Sequence, residues 1–174
     1  MKRFSFLLCS LFISFSIHAQ LLKTKNIILI TTDGLRWQDV MTGADPGLLN
    51  KEHGGVQDIP AVKKAYLRRT PEERRAALMP FFWSVVAKNG QVYGNQAEGS
   101  IAHITNTMKF SYPGYNEILC GFRDPTITSN DPIPNKNVTV LEWLNRKPQL
   151  AGKVAVFSGW SVMRAIVNRE RCGF

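Results

Sequence analysis

Residues 26–32 read Asn-Ile-Ile-Leu-Ile-Thr-Thr, an unbroken apolar and β-branched run closed by Asp33-Gly34. β-Branched side chains fit a pleated surface, and a run without polar alternation suits a strand buried on both faces. It predicts the first strand of a parallel sheet. Further strands are expected at 91–95 and at 153–157, the latter reading Lys-Val-Ala-Val-Phe, with helical segments between them. Strands alternating with helices define an α/β fold, here a three-layer sandwich with a mostly parallel sheet.

The helix signals are local. Thr70-Pro71-Glu72-Glu73 supplies an N-cap, a proline at the first helical position and a glutamate at the third, which together form a capping box. Pro80 should interrupt or kink that helix, and Asn89-Gly90 should end its apolar continuation. Further helices are predicted from Pro113 to the residue before Gly121, over 138–146 and over 161–167. Residues 43–67, rich in Gly, Asp and Lys, are long enough to be an inserted surface segment or lid, and 124–136 is a loop carrying three prolines.

Lys2 and Arg3, the apolar stretch 4–17 and the small residue Ala19 match a secretory signal peptide over 1–19. The stretch is shorter than the about 20 residues that span a bilayer, and no second one follows, so no transmembrane segment is expected. Residues 20–174 are read as exported, to the periplasm or beyond. Cys9 lies inside the apolar stretch rather than at its end, which disfavours a lipid-modified cysteine. Losing Lys2 and Arg3 takes the formal charge from +9 to +7, a basic excess that suits anionic substrates. No block of five like charges occurs, so no nucleic-acid partner is expected. Only Cys120 and Cys172 survive processing, too few for a disulfide scaffold; one bridge between them is permitted but not implied.

Asp33 directly follows the first expected strand, at the sheet edge where open α/β folds place their ligands. From this segment alone it is equally a metal ligand or the cap of the next helix. Ser111 precedes a proline-containing helix start, where backbone N–H groups and the positive helix end favour an anionic substrate such as a phosphate ester. A serine needs a base or a metal to act as a nucleophile. The mature chain has two histidines, His53 and His103, neither in a triad motif, and no G-x-S-x-G elbow. Metal activation is the better account.

Three segments carry a resemblance: N-I-I-L-I-T-T-D-G-L-R-W at 26–37, F-S-Y-P-G-Y-N-E-I-L-C-G at 110–121 and S-N-D-P-I-P-N at 129–135. In this order they resemble the N-terminal half of the alkaline phosphatase superfamily, in its type I phosphodiesterase-like and phosphoglyceromutase-like branch. The resemblance implies that Asp33 binds a divalent metal and that Ser111 is a metal-bound covalent nucleophile. It implies attack on phosphorus, a phosphoseryl intermediate and two metals, most often zinc, in the complete domain. Related phosphodiesterases often carry Asn three residues after the nucleophile, where this chain has Gly114; Asn116 is the nearest candidate for holding a phosphate oxygen. Arg36, Arg123 and His103 are left outside the site. A sulfatase is disfavoured because Tyr115 stands where the C/S-x-P-x-R motif needs Arg. The remaining family ligands come from a second half, so the chain reads as the truncated N-terminal part of such a domain, short of a catalytic site by itself. A non-catalytic remnant is the alternative.

Overall fold

Helix, turn and coil account for all of residues 24–174, the part of the chain that the computed structural model describes, and no strand occurs among them. The three-layer α/β sandwich with a mostly parallel sheet is therefore overturned. All three expected strands, at 26–32, 91–95 and 153–157, are extended or irregular coil. The physical reason is pairing: a strand is stable only when its N–H and C=O groups meet those of a neighbour, and none of these segments has one among the described residues. β-Branched composition shows that a segment tolerates a pleat, not that a partner exists. The signal peptide assigned to 1–19 lies outside the described residues. Among those residues, no helix is long and apolar enough to cross a membrane.

The described residues divide into two units, with the boundary between Thr32 and Asp33. In the first, the apolar run is coil, and Ile27 is 87% exposed. The second unit is a string of short helices: α1 (Trp37–Thr42), α2 (Lys51–Gly54), α3 (Ile59–Tyr66), α4 (Pro71–Leu78), α5 (Ala87–Asn89), α6 (Ser111–Cys120), α7 (Val140–Asn145), α8 (Met163–Ile166) and α9 (Arg169–Cys172). A π-helical turn, Phe82–Val86, leads into α5. The 43–67 segment is not a loose loop, since it holds α2 and α3, each started by an Asn or Asp cap.

Side-chain caps explain most helix starts. The Thr70 hydroxyl accepts from the Glu73 N–H at 3.2 Å, and the Glu73 carboxylate accepts from the Thr70 N–H at 3.1 Å, completing the expected capping box. α4 ends at Leu78, and a new helical stretch begins at Pro80, where proline was expected to break it. Gly90 ends α5, as Gly121 ends α6.

α1 packs on α4 at close range. A Cβ at Gly43 would lie 2.2 Å from the Arg74 carbonyl carbon, and its φ of +72° is itself a glycine conformation. Carbonyls near the end of α1 find partners across this contact: Trp83 Nε1 donates to Val40 O at 3.1 Å, and Arg75 donates to Met41 O at 3.2 Å. The Arg75 guanidinium also lies 3.8 Å over the Trp83 ring, a cation–π contact of about 0.5–1 kcal/mol.

The other packing group holds the main core. Tyr112 and Leu119 from α6 meet Ala165, Ile166 and Val167 around α8 and Cys172 of α9. Cys120 and Cys172 are both unbridged thiols, and burial pushes the Cys120 thiol up.

Candidate active site at the start of α6

α6 begins two residues before the expected start at Pro113, with Ser111 as its first helical residue, Pro113 as its third and Phe110 at the N-cap. Phe110 has no capping oxygen, Pro113 has no N–H, and the Tyr112 N–H donates to Asn130 Oδ1 at 2.9 Å. The Ser111 N–H is thus left in the first turn without a partner among the described residues. Ser111 is half-buried and shares the outer helix face with half-buried Tyr115 and exposed Ile118. The inner face buries Tyr112, Pro113, Asn116 and Leu119.

The inner face is held by polar contacts that no sequence motif announces. The Tyr112 hydroxyl donates to Ile133 O at 2.7 Å; burial pushes the phenol up to about 12, so it stays a protonated donor. Asn116 is fully buried, and its Oδ1 accepts from Asn135 Nδ2 at 3.1 Å and Asn137 Nδ2 at 3.0 Å while its Nδ2 donates to Phe122 O at 3.2 Å. Asn116, the candidate phosphate-binding amide, thus ties α6 to 135–137 rather than opening onto solvent. Asn137 continues to Asp124 Oδ2 at 2.7 Å, and Asn135 to Ile166 O at 3.1 Å.

Behind this network lies an ion pair. Glu142, fully buried in α7, is held by both arms of Arg171 at 2.8 and 2.7 Å and by Arg146. The Arg171 hydrogen bonds keep its carboxyl below the usual range. Arg171 also donates to the carbonyls of Asn135, Lys136 and Asn137, closing the 135–137 loop over the core.

On the outer side, the Glu117 carboxylate accepts from the backbone N–H groups of Thr105 and Asn106 and from Asn106 Nδ2. Desolvation pushes that carboxyl up, but the hydrogen bonds outweigh it and bring it down to about 2. Glu117 therefore pins the 105–106 loop beside the helix.

Asp33 lies in an exposed turn with Gly34 at φ +73°. The N-cap of α1 is Arg36, so Asp33 does not cap the helix that follows it. Arg36 is committed to Asp39 at 2.6 and 2.9 Å. Asp33 and Ser111 belong to different packing groups: α1 packs on α4, whereas α6 packs on α7 and α8. Among the described residues, no group of three or more His, Cys, Asp or Glu side chains is arranged to hold a metal ion. Asp33 offers one accessible carboxylate and Ser111 one hydroxyl, and a divalent site with about three protein ligands is not assembled from them. His103 is an exposed loop residue.

Asn130 is the functional candidate that sequence reasoning missed. It lies in the 129–135 segment, but only the hydrogen bond its side-chain oxygen accepts from the Tyr112 N–H places its amide against the turn that carries Ser111. Comparison with protein families, with characterised proteins and with solved structures finds no match. The resemblance to the alkaline phosphatase superfamily rests on the sequence segments alone.

Proposed function

We propose that this chain carries the nucleophile segment of an exported, metal-dependent phosphoric ester hydrolase, related to the alkaline phosphatase superfamily, with Ser111 as the attacking residue. The observation that carries the proposal is the start of α6. Ser111 occupies the first helical position, with its own N–H unpartnered among the described residues and the Asn130 amide against the next residue. That turn presents a hydroxyl, a backbone donor and the positive helix end together, which suits a tetrahedral anion.

The chemistry then runs in two displacements. The Ser111 oxygen bonds to phosphorus as the bond to the leaving alcohol breaks, giving a phosphoseryl intermediate. Water next displaces the serine, releasing phosphate and restoring the hydroxyl. The Ser111 N–H and the helix dipole stabilise the charge on the phosphoryl oxygens in both steps. Asp33 is the proposed first ligand of a divalent metal, most simply zinc. Such a metal would supply an activated oxygen nucleophile and charge neutralisation.

The test is hydrolysis of p-nitrophenyl phosphate and bis-p-nitrophenyl phosphate by the full gene product with zinc supplied, together with mass spectrometric search for a phosphoryl adduct on 110–121. Ser111→Ala should lower turnover by about three orders of magnitude or more and remove the adduct. Near-normal turnover in that variant would show that Ser111 is not the nucleophile.

A further inference from the structure

Beside the core contributed by α6, α8 and α9 lies an open cleft of about 490 Å³ whose walls include Trp160, Ser161, Arg164, Val167, Arg169 and Phe174. Its size falls within the range of about 300–1,000 Å³ typical of small-molecule sites. Two arginines line it and no acidic side chain does. Neither Arg164 nor Arg169 forms an ion pair among the described residues, although Arg171, in the same stretch, is fully engaged with Glu142. Both are exposed, and their planar guanidinium forks match phosphate oxygens in pairs.

The aromatic wall is preorganised. Trp160 is half-buried, and its backbone N–H donates to the Ser158 hydroxyl at 3.0 Å. Its ring meets Tyr115 of α6 with centroids 6.4 Å apart. Tyr115 lies one helical turn beyond Ser111 on the same face, so the indole wall is linked through one ring to the face that bears the nucleophile. An indole fixed in this way offers a flat apolar surface to a planar ring at little cost in ordering entropy.

We propose that this cleft binds phosphate monoesters of planar aromatic alcohols, with Arg164 and Arg169 neutralising the phosphate and Trp160 stacking on the ring. The choice of phosphate over carboxylate rests on the reading of Ser111 given above; the site itself rests on the cleft. It makes aryl phosphates the favoured ligand class of a cleft whose Trp160 wall meets α6 at Tyr115.

Calorimetric binding to the purified chain separates the two ideas, because binding needs no turnover. p-Nitrophenyl phosphate should bind about tenfold more tightly than inorganic phosphate or p-nitrobenzoate. The double variant Arg164→Ala with Arg169→Ala should lose about tenfold or more, and Trp160→Leu should remove the preference for p-nitrophenyl phosphate over inorganic phosphate. Arg164→Lys with Arg169→Lys keeps the charge and should retain partial binding, and circular dichroism checks that each variant folds. Absence of saturable binding, equal binding of p-nitrobenzoate, or binding indifferent to the arginine pair would overturn the proposal. Failure of the Ser111 reading alone would leave p-nitrophenyl phosphate bound in the cleft but not hydrolysed through Ser111.

Discussion

Arg171→Met probes the interaction on which the surroundings of α6 depend. The substitution deletes two hydrogen bonds to Glu142 and three to the carbonyls of Asn135, Lys136 and Asn137. The carbonyls of this loop can turn to water in part, but the Glu142 side chain is 0% exposed. It keeps only Arg146, which is itself 58% exposed and a weak partner. Removing one member of a buried ion pair costs about 3–5 kcal/mol, because the remaining charge stays desolvated. Against a typical stability of about 5–15 kcal/mol, that is a large fraction of what holds the unit together. Urea unfolding followed by tryptophan fluorescence measures it. If the stranded charge is the cause, removing it as well should recover stability: Glu142→Leu with Arg171→Met should be about 2 kcal/mol more stable than the sum of the single changes implies. A cost below about 1 kcal/mol for Arg171→Met, or strict additivity in the double variant, would refute the reasoning.

Asp33→Asn should leave unfolding stability within about 0.5 kcal/mol, since Asp33 is exposed and caps no helix, but should weaken zinc activation of the full gene product; unchanged zinc dependence would remove Asp33 from the metal site. The Glu117 carboxyl falls from 4.5 to about 2 on folding, so its contribution is fully present above pH 4.5 and is lost as pH falls towards 2. Thermal unfolding of the unaltered chain and of Glu117→Gln should therefore differ near neutrality and converge at low pH, and a difference that persisted at pH 2 would contradict this. Gly43→Ala should destabilise by more than about 1 kcal/mol in the same urea assay, because its Cβ would meet Arg74 backbone at 2.2 Å and its φ is +72°; a neutral effect would mean that α1 and α4 can separate without loss.

The parts of the fold legible in the sequence are those decided within a few residues. Thr70 and Glu73 are three positions apart and need only each other, so the capping box is written in full. Pro80 lacks an N–H wherever it stands, and Gly121 tolerates a left-handed φ of +81°. Helices expected at 138–146 and 161–167 are present in shortened form as α7 and α8. The strands failed because pairing is decided elsewhere in the chain: Ile27 and Phe157 belong to apolar runs of strand composition, yet are 87% and 94% exposed. The site shows the same division. Ser111 before a proline marks a helix start from the sequence alone, whereas the Asn130 contact spans a long loop and leaves no periodic trace. Asn116 was the candidate for holding a phosphate oxygen, and its bonds to Asn135 and Asn137 instead bury it against the 135–137 loop.

The reach of Arg171 also sets an order of events as the chain is made. α6, with its serine, emerges well before α9, and the 135–137 loop has no lock until the Arg171 side chain arrives. Contacts of such sequence separation form late, after the entropy of closing the intervening chain has been overcome. During vectorial synthesis the Glu142 carboxylate therefore stays without its Arg171 partner until the 169–172 turn is delivered. The start of α6 acquires its fixed surroundings only at that moment, so α9 completes the packing around it.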